Sequence, residues 1–331
     1  MNMAYGEISW RGRTLRVPAE EIDGRQVVVS GMGVRIASIR DEEWLDQGAI
    51  RDVGQFADRL HASSLRADIL SFGTGPALEG APPTGRATVV EIDNVAVIDT
   101  SDFKAWWDGL PQEARKNTRR AAKRGVTVFE SEFDGRLVQG IKSVYDEAPV
   151  RQGRKFWHYG KDLETVRREN GTYLDRSTFL VARCGDEFIG FMKWVRIGDI
   201  ARIMQILCLN AHQDKRPIIA LISKAAELCH AQGMRYLVYG RYKYGRKGDS
   251  SITEFKRRLG FVQLEFARYH VPLTPWGSVA LRLGLHRGWT SLIPAALLQK
   301  LLQWRAAWYA KRSRASGNAD ATPASAASAE G

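Results

Sequence analysis

The sequence is short of the residues that carry many familiar chemistries. Its 331 residues hold three cysteines, Cys184, Cys208 and Cys229, which are far apart and form no CxxC pair. That excludes a disulfide framework or a zinc knuckle and points to a reducing compartment. The six histidines form no dense His/Cys/Asp cluster along the chain, and GxSxG, Walker and HExxH runs are absent. Lipase-type, P-loop and zinc-hydrolase readings lose their main support. The run GMGVRI has two glycines of the three a dinucleotide fingerprint needs, and no helical pattern opens at Gly33. No apolar h-region follows the initial MNMAYGEISWRGR, so a cytoplasmic location, peripheral at the inner membrane, is expected.

Positive charge is plentiful, and it is unevenly spread. Lys and Arg number 49 against 37 Asp and Glu, a formal net charge of +12. Residues 101–125, 235–258 and 276–314 carry +4, +6 and +7, which leaves the rest of the chain at −5. Three local fields of this kind suit an anionic partner better than general coating of nucleic acid. With 44% hydrophobic and 26% charged residues, the chain is compatible with packed cores and not with disorder or a many-span membrane protein.

Apolar spacing gives the organisation. Residues 7–40 alternate short apolar runs with Gly and Arg, as strands in tight turns do. A helix is expected from Val53 to about Ala67, strands over 67–72 and 88–98, a Gly/Pro loop at 73–85 between them, and a helix from Pro111 to Gly125. Helices are read between Leu137 and Arg168, interrupted by the polar and aromatic stretch RQGRKFWHYG, where Lys155 and Trp157 are candidate ligand contacts. Residues 178–183, 187–196 and 200–209 read as an antiparallel meander with turns at Gly185 and Gly198. A helix from Pro217 to about Gln232, a strand over 235–244, a helix over 251–259 and a strand over 261–271 complete an α/β (α+β) pattern.

Three constellations stand out. As a helix, RKNTRRAAKR puts Arg115, Lys116, Arg119, Arg120, Lys123 and Arg124 on one half of the cylinder and Asn117, Thr118, Ala121 and Ala122 on the other. The basic half is either a solvated face or a contact for phosphate, nucleic acid or lipid headgroups. At the junction NAHQDKRP, Gln213, Lys215 and Arg216 precede a helix N-terminus whose free N–H groups favour phosphate, and Asp214 is a candidate cap. In YGRYKYGRKGDSSITEFKRRLGF, Ser251 and Glu254 have capping-box spacing. Lys256 falls at about 40° from the apolar stripe, where it either snorkels outward or meets a buried anion. Tyr239, Arg241 and Lys243 would share one strand face, and Tyr242 and Tyr244 the other.

The order of elements resembles the GNAT acyltransferase fold. More narrowly, Leu110-Pro111 with RKNTRRAAKRGVTV, and the strand at Val238 followed by EFKRRLGF, resemble FemAB-like proteins, which join two GNAT-like units and make peptide or acyl bonds in cell-envelope chemistry. The resemblance covers roughly residues 88–272. It implies two units with mixed, mostly antiparallel sheets, an N-terminal unit over 1–110 and an acyltransferase unit over 111–272; composition adds a basic aromatic helical segment over 273–314 and an Ala/Ser-rich, disordered tail over 315–331. It implies direct transfer from acyl-CoA to an amine or hydroxyl acceptor, with Gln213, Lys215 and Arg216 on donor phosphate, Lys256 and Arg241 as anion or oxyanion stabilisers, and Tyr239 or Tyr242 as acid. One departure matters: QDKRPI stands where CoA-using GNAT enzymes have Q/RxxGxG/A. Aminoacyl-tRNA therefore remains an alternative donor, and a non-catalytic module binding anions or membranes a third reading. The segment 276–314, with Trp289, Leu297, Leu301, Trp304 and Trp308 among basic flanks and a break at Pro294, suits an interfacial helix on an anionic membrane or a helix pair packed on its own domain.

Overall fold

The computed structural model describes residues 4–10, 13–45, 50–75, 88–151, 153–243 and 251–287. Most of the basic aromatic segment and the whole tail lie outside them.

The first part of the chain runs β1 (Tyr5–Trp10), β2 (Arg13–Ile22), β3 (Arg25–Ser30), β4 (Ile36–Ile39), α1 (Val53–Ala62), β5 (Ile69–Gly73) and β6 (Val89–Asp99). Next come α2 (Phe103–Gly109), α3 (Gln112–Lys123), β7 (Val126–Ser131), α4 (Gly135–Asp146), a small hairpin β8 (Val150–Arg151) and β9 (Arg154–Lys155), and α5 (Leu163–Asn170). The last part is β10 (Ser177–Cys184), β11 (Glu187–Ile197), β12 (Ile200–Cys208), α6 (Pro217–Ala231), β13 (Tyr236–Val238), α7 (Ser251–Arg258), β14 (Val262–Pro272) and α8 (Pro275–Arg282). Asp52, Asp102, Asp134 and Asp162 each accept an N–H of the helix that follows, which is why these helices start where they do.

Twelve strands form one sheet in the order β1-β2-β3-β4-β5-β14-β6-β13-β12-β11-β10-β7. Two similar halves meet at its centre. In each, a three-strand meander (β2-β3-β4 or β10-β11-β12) leads through a helix (α1 or α6) to a strand parallel to the last of the three (β5 or β13). The next strand of each half then crosses over. β6 follows β5 in sequence but pairs with β13, and β14 follows β13 but pairs with β5. The two exchanged strands pair antiparallel with each other over nine residues, from Val262 opposite Val97 to His270 opposite Val89.

One face of the second half carries α3 and α6 over a core of Leu180, Met192, Trp194, Ile203, Ile206, Leu237 and Phe261. The opposite face carries α4 over Phe179, Val181 and Phe191. Removing these side chains from water supplies roughly 1.5–3 kcal/mol for each large aliphatic or aromatic one.

Several expected boundaries shift. The helix at Val53 ends at Ala62, because Ser63 is extended and its hydroxyl closes on Leu60 O. The strand expected over 235–244 ends at Val238, since Gly240 adopts φ 53 and turns the chain. Face alternation fails there, so Tyr239 and Tyr242 both pack on the α6 side while Arg241 turns to Asp93. In α3 the packed residues are Ala114 and Ala121, and Ala122 is exposed.

Candidate functional site

The site is built on a separation of two strands. β12 and β13 pair over only Ile200–Arg202 and Tyr236–Val238. Beyond that β12 stays with β11 as far as Cys208. The other chain stays with β6, where Tyr239 N donates to Ala96 O (2.8 Å) and Ala96 N to Gly240 O (2.9 Å). A notch therefore opens between residues 203–208 and 239–242, at the carboxyl ends of two parallel strands. A β-bulge marks its β12 wall: Trp194 faces Ile203 and Lys193 faces Gln205, so Met204 is the extra residue. The bulge turns Gln205 toward α4.

On that face Gln205 accepts from the hydroxyl of Tyr145 (2.7 Å), which Asn170 Nδ2 also meets (3.3 Å). The His158 ring packs against Tyr145 at 4.4 Å between centroids, tilted by 30°, with Gln205 Nε2 at 3.5 Å and Lys161 Nζ at 3.3 Å from its two nitrogens. Burial, then the Lys161 charge, lowers the His158 pKa to about 4, so the ring is neutral at pH 7. Burial raises the Tyr145 pKa to about 12, so that hydroxyl remains a donor. Sequence reasoning marked the loop 151–160 but named Lys155 and Trp157 in it. Both are exposed; Trp157 meets the His158 ring edge-on at 6.0 Å between centroids, while Lys155 makes no contact with the cluster among the described residues. Tyr145, His158, Asn170 and Gln205 come from four elements, and only the chain's return to β12 brings them together.

At the mouth of the notch stands the N-terminus of α6. Residues Asn210–Lys215 form a 3-10 turn rather than an open loop, and Arg216 takes the left-handed conformation (φ 60) before Pro217. That is the backbone shape a glycine would supply, held here by arginine at a cost of about 1–2 kcal/mol. No side chain caps this helix; Asp214, the expected cap, is instead bound by Arg124 at the end of α3 (3.1 Å). Gln213 bonds Asn210 (2.7 Å), and Lys215 joins a chain through His212 (2.8 Å) to Glu187 (2.9 Å from His212).

The opposite lip is organised by Lys256. Its side chain is 0% exposed, so it does not snorkel outward. The ammonium donates to Tyr239 O (2.6 Å) and Arg241 O (2.7 Å) and sits 4.5 Å over the Tyr239 ring. Burial lowers its pKa to about 8. Thr253 Oγ1 bonds Tyr242 O (3.1 Å), so α7 grips the strand end at three carbonyls. Glu254 is held by Arg257 and Arg258 (2.8 and 2.7 Å). The structure thus gathers Tyr239, Arg241, Tyr242 and Lys256 at one lip and Gln213, Lys215 and Arg216 at the mouth. Arg115, Lys116, Arg119 and Arg120 lie on α3, with Arg120 near Asn117 (3.1 Å) and Glu113 (3.9 Å). Lys116, Arg119 and Lys123 make no hydrogen bond or ion pair among the described residues.

The matching separation in the first half is filled from within. β4 and β5 pair over Ile36–Ser38 and Ile69–Ser71, and just beyond them Glu42 accepts from Gly73 N (2.6 Å) and from Arg268 (3.2 Å). Burial pushes the Glu42 carboxyl above its usual range, against the pull of Arg268.

No protein-family model and no curated protein matches this sequence. Solved structures do match in shape. FemX aligns over 84% of this chain and 90% of its own, with a TM-score of 0.51 and 10% identity. The C-terminal domain of a putative lysylphosphatidylglycerol synthetase from Agrobacterium fabrum aligns over 81% and 86%, at 0.50 and 15%. A conserved protein of unknown function from Bacteroides thetaiotaomicron aligns over 78% and 86%, at 0.51 and 10%. The meander, the notch and the crossed strands, occurring twice in one sheet, give this chain a GNAT-like fold of the FemAB-like, two-unit kind.

Proposed function

We propose that the second unit transfers an acyl group from acyl-CoA to an amine or hydroxyl acceptor, the two substrates meeting in the notch from opposite faces of the sheet. The observation that carries this reading is the separation of β12 from β13, with an uncapped helix N-terminus at its mouth and a polar cluster on its far face. The donor's phosphates would lie at the start of α6, beside Lys215 and Arg216, where free N–H groups and the helix dipole favour an anion. Its thioester would reach the bulge at Met204, where a main-chain N–H of the β12 wall polarises the carbonyl. The acceptor would approach from the Tyr145, His158 and Gln205 side. Its nitrogen or oxygen attacks the carbonyl carbon, the bond to sulfur breaks, the leaving thiolate takes a proton from Tyr239 or Tyr242, and the proton lost by the acceptor passes through water to restore that tyrosine. Lys256 and Arg241 fix the lip that positions those tyrosines.

Pro217 favours a second donor. It removes one N–H from the phosphate cradle while Arg216 and the basic α3 add charge nearby, an arrangement that suits the larger polyanion of an aminoacyl-tRNA. FemX and the putative lysylphosphatidylglycerol synthetase share this fold, which is in keeping with aminoacyl transfer. Thermal-shift and calorimetric titration with acetyl-CoA, longer acyl-CoAs and charged tRNA separates the readings. A CoA thioester at 100 times its Kd stabilises the protein by about 2.7 kcal/mol, and Arg216→Ala reduces that response. A response to charged tRNA alone replaces the donor, and no response to any of them defeats both readings.

A further inference from the structure

A second polar cluster lies away from the notch, on the two exchanged strands. Glu91 of β6 and His270 of β14 project from the same face of the central pair, since Arg268 is the residue opposite Glu91 and His270 lies two further along. His286, in the 3-10 turn Leu285–Arg287 after α8, reaches down onto them. Its Nε2 is 2.7 Å from Glu91 Oε1, and His270 Nε2 is 3.6 Å from Glu91 Oε2. The two imidazoles are 4.7 Å apart between centroids. One potential ligand atom from each residue falls within 4.8 Å of the others.

The bonding within the cluster is incomplete. His270 is 6% exposed, and among the described residues neither of its ring nitrogens has a partner within hydrogen-bond distance, Glu91 Oε2 standing 3.6 Å from Nε2; His286 Nδ1 has none either. Two imidazoles and a carboxylate converging on one point are a ligand set suited to a borderline transition metal.

We propose that Glu91, His270 and His286 bind one divalent transition ion of the Zn2+ class. His270 Nε2, His286 Nε2 and Glu91 Oε2 are the ligands, and Arg287 Nε, 2.8 Å from Glu91 Oε1, keeps the other carboxylate oxygen as an outer hydrogen bond. Tetrahedral bonds of about 2.0–2.2 Å set ligand atoms roughly 3.4 Å apart, within reach of modest side-chain rotations from the present spacing. The ion fastens the start of the C-terminal segment to the strands that hold the two units together, a structural role independent of the acyl-transfer reading.

Untagged full-length protein, stripped with chelator, reloaded with Zn2+ and desalted, is analysed for metal. One ion per chain is expected. Titration should show saturable 1:1 binding, and Co2+ loading should give the visible absorption of a tetrahedral site. His270→Ala, His286→Ala and the near-isosteric Glu91→Gln should each weaken Zn2+ at least 100-fold, while His61→Ala, at an exposed helix position, leaves it unchanged. No stoichiometric uptake by the parent overturns the proposal whether or not the variants fold, and so does uptake that survives all three substitutions.

Discussion

Lys256 shows how a buried charge acts as a fastening. Its ammonium replaces water with two main-chain carbonyls, those of Tyr239 and Arg241, on a strand end that has left its parallel neighbour. Lys256→Met keeps the length of the side chain and removes those two bonds; a loss of about 1–3 kcal/mol is expected. The pH dependence is a sharper test. With a pKa of about 8 in the folded chain against 10.5 when exposed, the unfolded state binds more protons between those values, so the parent gains stability as pH rises from 8 to 10.5. Denaturant titrations should show the gap between parent and Lys256→Met changing in the parent's favour across that window, and a constant gap would disprove the assignment. His158, at about 4, obeys the same relation at acid pH: stability falls as pH drops from 6.5 to 4, and His158→Phe flattens the fall. The place of Lys256 beside the core was legible because helical spacing set it next to the apolar stripe. Its partners were not, since they belong to a strand end whose path depends on Gly240. The His158 cluster, and the Glu91 cluster still more, join residues from separate elements, so neither leaves a local pattern to read.

Elements were more legible, because period and caps are local. The helix α3, its basic half and its end before Gly125 follow from the sequence, and the structure leaves Lys116, Arg119 and Lys123 exposed. Replacing these three with Gln should change stability by no more than about 0.5 kcal/mol each, as exposed substitutions do, while reducing binding to anionic vesicles or polyphosphate in a cosedimentation assay. Unchanged binding would make the face a merely solvated one. Less legible was the fit between strands. Gly190 of β11 lies opposite Cys208, and a Cβ there would stand 2.3 Å from its Sγ and 2.9 Å from Leu207 O. Gly190→Ala must displace the β12 wall of the notch, so a cost of about 1–3 kcal/mol in stability is expected, together with weaker donor binding. A variant with parental stability would show that the wall yields freely.

For the whole molecule, the decisive feature is the exchange of β6 and β14. A cut at residue 110, where the sequence alone divides the chain, leaves β6 with the first fragment although both its neighbours in the sheet, β13 and β14, belong to the second. The second fragment then has a gap between those two strands. Such a pairing cannot be read from composition or spacing, because β5 meets β14 nearly two hundred positions later in the chain. Val95, Val97 and Ile98 on β6 are all buried, and exposing them forfeits roughly 1.5–3 kcal/mol apiece. That loss alone is comparable with the 5–15 kcal/mol that separates a folded domain from its unfolded chain. Fragments 1–110 and 111–331 expressed separately should therefore lack cooperative unfolding transitions, whereas coexpression should return a complex with one transition. A fragment that folds cooperatively as a monomer would show that its half of the sheet closes without the exchanged strand, and the two units would then be independent domains.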